Sequence, residues 1–486
     1  MSPHPDSPSS SSPSPSSPSS AAPAGLERRI GPGQATAINM TQMCGIGPFV
    51  TIPAMVATMG GPQAVFGWVV GALIALADGL VWAELGAAMP GAGGTYVYLR
   101  EAFQYRTGRL MPFLFVWTAM LFVPLIMATG VIGLVSYLGY LLPGVVDAGG
   151  NATVLGHGIG IGVVALVVLL LYRRIGEVSR MTTVFFGVML FSVLAVIVAA
   201  YTHFHADLAF AYPPGAFGFG GPFWAGLGAG LVIAIYDYLG YNTSAYLGAE
   251  VRDPGRTLPR SIVLAIVGIM MLYLLLQLGV LGVVPWQEIT SSSSIASLVL
   301  ERTWGAVAAR VLTVFIVVTA FASVFAGLLG GSRVPYEAAR DRLFLPWFGR
   351  LHPRLRFPHV ALLAMGAITA IGSLFPLQTV ISMLTAVFVI VQSVAQVVAL
   401  VVLRRRQPGL ARPYRQWLYP LPCLVALVGW AYVYVSSGGQ QIVLSLIWLA
   451  IGVVAFLVWA RVERTWPFGS REVRERFLDG PSPEPV

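Results

Sequence analysis

The chain has 486 residues, 56% of them apolar and only 10% charged, with a formal net charge of +9. That apolar excess excludes an ordinary soluble globule, and its continuous rather than alternating runs exclude a transmembrane β-barrel. The positive balance comes from arginine alone, with no lysine, and its placement in short connecting segments argues against a nucleic-acid surface. The class that remains is an all-α polytopic membrane protein.

In chain order, residues 1–34 open with a Ser/Pro low-complexity run that lacks the apolar core of a cleavable signal and reads as a disordered cytosolic tail. Twelve apolar stretches follow, near 36–60, 63–89, 110–142, 155–172, 179–202, 222–248, 259–284, 303–331, 358–375, 377–403, 415–436 and 440–461. Residues 463–486 form a second cytosolic tail.

The first stretch contains CGIGPFVTIP at 44–53, with two glycines and two prolines inside a segment that has to cross oil. Such breaks are tolerated where the freed backbone is buried in protein or lines a wet cavity. Gly45 and Gly47 permit unusual dihedrals, and Pro48 suits the start of a new half-helix. The expected path is one half-helix to about Met43, unwinding over 45–47, and a restart near Pro48. The restarted half then offers free amides and a positive dipole end to an anion, and the carbonyls that end the first half suit a cation. A kinked helix packed tightly through its glycines is the alternative.

The second stretch carries Asp78 and Glu84, six residues apart and so on different faces. Glu84 is expected to brace the neighbouring loop; Asp78 is either structural or part of an ion pathway. Cys44 and Cys423 both fall in apolar segments and read as small buried hydrophobes with no disulfide framework. The triplet Asn151, Ala152, Thr153 matches a glycosylation acceptor and is taken as a chance match.

The sixth stretch, AIYDYLGYNTSAYLGAE, places Asp237, Gly240, Asn242, Thr243 and Ser244 in mid-span. Two interrupted spans, the first and the sixth and so five positions apart, point to a transporter site built from repeats. Aspartate at a helix centre costs about 2.5–3.5 kcal/mol on insertion scales, so it asks for a role. It can pair with a substrate ammonium, an attraction of about 4 kcal/mol at 4 Å and an effective dielectric near 20. It can carry a coupling proton. Or it is a buried acid satisfied by neighbours such as Asn242 or Tyr238. Phe49 and Tyr236 flank the two breaks, either as an aromatic lid over an amine or as core rings. Farther on, Ser323 and Thr385 are isolated hydroxyls expected to bond back to their own helices.

Arginines fix the direction. They fall before stretch 1 and after stretches 2, 4, 6, 8 and 10, whereas the alternate loops hold Asp147, His157, His203, His205, Asp207 and Glu288, with Arg302 as almost the lone cation. By the positive-inside rule the arginine-bearing loops and both termini are cytosolic, in the cell membrane. The six histidines sit in tails and loops without metal-ligand spacing, and there is no phosphate-binding loop. No catalytic constellation, metal or cofactor is expected.

Four segments carry a resemblance: Gly45-Ile46-Gly47 with Phe49 and Pro53; AELGAAMPGAGGTYVYLREAF from Ala83; GYNTSAYLGAEVRDPGRTLPRSI from Gly240; and SRVPYEAARDRLFLPWFGRLHPRLRFP from Ser332. Together, over roughly 35–460, the chain resembles the amino acid–polyamine–organocation superfamily of permeases. That resemblance implies twelve transmembrane helices with a five-plus-five inverted-repeat core of the LeuT-like kind: 35–205 as the first repeat, 206–405 as the second, and 406–462 as two added helices. It implies secondary transport by alternating access. Gly45, Ile46 and Gly47 would bind an α-carboxylate and amine through backbone, and the 236–240 segment would complete the site with Tyr236 as aromatic gate. Gly240, Tyr241 and Asn242 resemble the Gly-Trp-Asn of the L-type branch. Pro48 instead echoes a polyamine-uptake branch, and Asp237 stands where a neutral residue is usual, favouring an amine-bearing substrate. Met189 falls where some members carry a lysine, so H⁺ coupling, Na⁺ coupling and exchange stay open.

The expected substrate-binding set is therefore Gly45, Ile46, Gly47, Phe49, Tyr236, Asp237, Gly240 and Asn242. The expected function is an amino acid permease, with a polyamine or cationic-amine permease, and a substrate sensor or ion channel, as the other readings. Small-molecule substrate and membrane lipid are the expected partners. No nucleic acid and no obligatory protein partner are expected, since the loops show no docking cysteine.

Overall fold

A computed structural model of the chain describes residues 28, 30–90, 94–147, 149–172, 175–353, 357–464 and 467–468. Most of both tails, Arg29, Arg173, Arg174, Arg354, Arg356 and the 91–93 part of the second motif lie outside these, as do the side chains of 175–183, 185 and 186.

The described residues are helical, with no strand longer than an isolated bridge. The helices are α1 (Pro32–Met43), α2 (Gly47–Met59), α3 (Val65–Ala88), α4 (Thr95–Thr107), α5 (Leu110–Leu141), α6 (Val154–Leu171), α7 (Ile175–Thr202), α8 (Ala206–Ala209), α9 (Gly221–Tyr238) and α10 (Thr243–Tyr246). There follow α11 (Pro254–Val283), α12 (Trp286–Ile289), α13 (Ile295–Gly331), α14 (Arg333–Arg340), α15 (His359–Gly372), α16 (Leu377–Phe388), α17 (Ala395–Arg406), α18 (Leu421–Ser436) and α19 (Gly439–Val462). Each of the twelve apolar stretches contains a helix. Among the described residues seven helical runs are long and apolar enough to cross a membrane unaided, and α1 with α2 forms an eighth span bent by 56°. Gly305, at φ 84°, kinks α13 and separates its first three turns from the rest. A π-turn over Val389–Val394 joins α16 to α17.

Burial sorts the helices into centre and rim. Of the most apolar stretch of α5, 78% is buried, against 28% for α6 and 22% for α19. The exposed apolar residues Val443, Leu444, Ile447, Ile451, Val454 and Val458 all lie on α19, a face that suits lipid better than water. Around α5 pack α13, α15 and α16; α11 lies along α3, α1 along α11, and α2 along α9. The two interrupted spans therefore touch each other in the interior.

Proline chemistry shows how these contacts arise. Pro53 inside α2 has no N–H, so the carbonyl of Phe49 four residues back loses its intrahelical partner. The Tyr137 hydroxyl of α5 donates to that oxygen at 2.8 Å and itself accepts from the Ala296 N–H at 3.2 Å. One missing donor thus ties three helices together.

Candidate functional site

The first break lies over Cys44, Gly45 and Ile46. α1 ends at Met43, and α2 restarts at Gly47 with Pro48 in its first turn. No side chain caps the start of α2, and among the described residues the N–H groups of Gly45, Ile46 and Gly47 make no hydrogen bond. The second break follows Tyr238. Gly240 takes φ 114°, a conformation that excludes a side chain, and its Cα lies so close to Gln42 that a Cβ would sit 3.0 Å from the Gln42 carbonyl carbon. α10 is then capped from another element: the Asn39 side-chain oxygen on α1 accepts from Ser244 N–H at 2.7 Å.

Asp237, in the last turn of α9, is 2% exposed and reaches across to α2. Its Oδ2 lies 2.5 Å from the Thr51 hydroxyl, which is also 3.0 Å from the Gly47 carbonyl. Its Oδ1 has no partner. That oxygen rests against Gly47, where a Cβ would come within 2.1 Å of it. The neighbours expected from sequence do not satisfy the acid: the Tyr238 hydroxyl donates to the Trp68 carbonyl at 3.0 Å, and Asn242 stands at the head of α10.

Tyr273 on α11 binds the ends of both interrupted helices. Its hydroxyl lies 2.8 Å from the Met43 carbonyl and 3.1 Å from the Asp237 carbonyl, so one proton is shared between the last turns of α1 and α9. Its ring packs with Trp68 and Tyr238 at centroid distances of 4.9 and 5.8 Å.

Of the residues expected at the site, Gly45, Ile46, Gly47, Tyr236, Asp237 and Gly240 come together at the two breaks. The two aromatic candidates part company. Tyr236 stays at the break, 3.6 Å from the place of a Gly47 Cβ, its hydroxyl 2.6 Å from that of Thr129 on α5. Phe49 packs in a T-shaped contact with Tyr137, ring centroids 6.3 Å apart. Asn242 lies one turn farther along. Ser323 and Thr385 do not bond back to their helices: the Thr385 hydroxyl is buried without a partner, and the Ser323 hydroxyl faces Gly45, 2.8 Å from where its Cβ would be. Helix-backbone bonding needs the right rotamer, and the close approach of α2 and α13 leaves Ser323 facing the break instead.

Asn39, Thr51, Thr129 and Tyr273 were missed. Each is a polar group on a helix, visible in the sequence but without any indication of its partner.

The other carboxylates act as braces. Asp78 accepts from the Tyr241 hydroxyl at 2.5 Å and from Trp430 Nε1 at 3.2 Å, which leaves neither oxygen unpartnered and fixes the second break against α3 and α18. Fully buried Glu84 takes Arg404 on both oxygens at 2.8 and 2.5 Å, and the Gln416 N–H at 2.9 Å; it is a brace, but of the distant α17–α18 connection rather than of the neighbouring loop expected. Both cysteines are buried and free.

The family model described as amino acid permease matches residues 30–457. The chain is 26% identical to the branched-chain amino acid permease of Bacillus subtilis over 453 residues, 90% of this chain and 94% of that protein. It is 26% identical to the serine/threonine exchanger of the same organism, covering 85% and 92%. Against the Asc-type amino acid transporter 1 of Mus musculus it is 27% identical, covering 85% and 77%.

Proposed function

The chain belongs to the amino acid permease family, an integral membrane protein of the cell membrane, and from that premise we propose that it is a secondary-active carrier of amino acids working by alternating access. In this reading twelve spans cross the membrane, the first five and the next five forming inverted repeats, with both termini cytosolic. Substrate sits between the two breaks. The unbonded amides at Gly45, Ile46 and Gly47 receive its α-carboxylate, where the α2 dipole also favours negative charge. The α9 end and Asp237 receive its ammonium.

One observation supports this most: an unpartnered, buried carboxylate oxygen of one interrupted helix rests on the first residue of the other. A buried acceptor of that kind is expensive unless something completes it. A substrate ammonium or a proton does so. The relatives' names, branched-chain amino acid permease and serine/threonine exchanger, favour neutral amino acids. The acid itself favours a second reading, a cationic amino acid or polyamine, in which a further positive group meets Asp237.

Counterflow in proteoliposomes tests the choice, with isoleucine, serine, arginine and putrescine competing on wild type and Asp237→Asn. The expected result is exchange of neutral amino acids, with uptake reduced at least about tenfold in the variant, as befits loss of roughly 1.4 kcal/mol or more of ammonium binding. Preference for arginine or putrescine, lost in the variant, would establish the second reading. Neutral exchange that persists in Asp237→Asn while pH-driven uptake disappears would make the acid a proton carrier. No counterflow with any of the four would overturn the carrier reading and leave a sensor or channel.

A further inference from the structure

Away from both breaks, where α17 ends, a cavity of about 480 Å³ is lined by Arg404, Arg405, Pro408, Arg412, Arg415 and Tyr419. Its four guanidinium groups are unequally committed. Arg412 donates to the carbonyls of Leu403, Gln407, Leu410 and Pro408. Arg404 is clamped by Glu84, with its Cζ 3.8 Å from the centroid of the Tyr419 ring. Arg405 and Arg415 are exposed, and neither makes a hydrogen bond or ion pair among the described residues.

Four arginines against the single carboxylate of Glu84 leave three positive charges around one hollow. Burial first, and then the neighbouring charges of Arg404 and Arg415, push Arg412 below its ordinary value, against the pull of Glu84. An anion in the hollow would relieve that repulsion. Arginine is the residue suited to it, because its planar fork matches two phosphate oxygens at once.

The chain next to the cavity distinguishes possible anions. Trp417, Leu418, Leu421 and Leu424, next in sequence to the lining residues Arg415 and Tyr419, are 69, 77, 52 and 58% exposed, an apolar stretch that runs on into α18. A soluble anion has no use for such a stretch. A phospholipid fits both parts, its phosphate in the hollow and its acyl chain on α18, beside an exposed tryptophan of the kind favoured at lipid interfaces.

We propose that this cavity binds the phosphate of an anionic phospholipid from the leaflet on that face, with Arg405 and Arg415 as its principal ligands. The shared chemistry is a phosphate ester or ion; the apolar stretch selects the lipid as its source. The proposal is independent of how substrate binds at the breaks.

Full-length protein in neutral detergent, titrated with phosphatidylglycerol, phosphatidylcholine or inorganic phosphate, tests this by thermal shift and by bound lipid in native mass spectrometry. Phosphatidylglycerol should bind at least about tenfold more tightly than phosphatidylcholine, and the preference should fade near 1 M salt, where charges are screened beyond about 3 Å. At about fivefold per arginine, the Arg405→Gln/Arg415→Gln pair should weaken phosphatidylglycerol about 25-fold, and Arg302→Gln, at almost the lone cation of the alternate loops and paired with Glu288, should not. Equal binding of the two lipids, or an unaffected double variant, overturns the site. Inorganic phosphate binding as tightly as phosphatidylglycerol upholds the phosphate site and overturns the lipid source. Should the double variant not fold, Arg415→Gln alone and the salt titration of wild type read the same interaction.

Discussion

Thr51 has one hydroxyl proton and two acceptors in reach, the Gly47 carbonyl and Asp237 Oδ2. With Asp237 ionised, Thr51 donates to it and the Gly47 carbonyl goes without. With Asp237 protonated, the acid donates to Thr51 and Thr51 turns to Gly47. A proton or a bound ammonium at Asp237 is in this way felt at the first turn of α2. An asparagine can donate to Thr51 just as the protonated acid does, so Asp237→Asn should melt close to wild type. Asp237→Ala orphans the Thr51 contact and opens a void beside Gly47, and should lose about 1–3 kcal/mol in thermal unfolding. Equal destabilisation by both would show that the charge, and not the hydrogen bond, holds the residue in place.

At the level of elements, the two breaks differ in how they are held. The amides at the α2 start are unbonded, whereas the ends of α1 and α9 share the Tyr273 proton and α10 leans on Asn39 and, through Tyr241, on Asp78. Tyr246 at the end of α10 takes a hydrogen bond from Gln392 in the π-turn at 2.8 Å, so an irregular stretch of α16–α17 is used to reach it. Removing the Tyr273 hydroxyl leaves two buried carbonyls short of a donor. Tyr273→Phe should therefore unfold about 1–3 kcal/mol more easily, with faster amide exchange in the last turns of α1 and α9 and little change in α19. Uniform exchange across all helices would count against a local staple.

For the whole molecule, the segment before α1 is tied to the connection after α10. Ile30 N–H donates to the Glu250 carbonyl at 3.0 Å, Arg252 N–H donates back to Ile30 at 2.9 Å, and Ile30, Ala35, Val251 and Leu258 form a small apolar cluster of their own. The carrier reading fixes sidedness. Both native cysteines are buried, so single added cysteines report cleanly. In intact cells an impermeant maleimide should label Asn151→Cys and leave Gly409→Cys untouched until the membrane is opened. The reverse pattern would invert the topology.

The membrane class and the place of both breaks were legible in the sequence for one reason. A proline, glycine or carboxylate in an apolar run is costly wherever the chain goes, so its mere presence reports a role. The braces were half legible: Glu84 was read as a support for its loop, but nothing along the chain pairs it with Arg404, 320 positions away. Only the tertiary structure decided which partner each polar group took. It gave Asp237 to Thr51 and Gly47 rather than to Asn242 or Tyr238, turned Phe49 toward Tyr137, and brought Tyr273 to the ends of two helices. Insertion cost is a property of a residue and its medium, whereas a hydrogen bond is a property of two residues whose distance only the packing of helices can set.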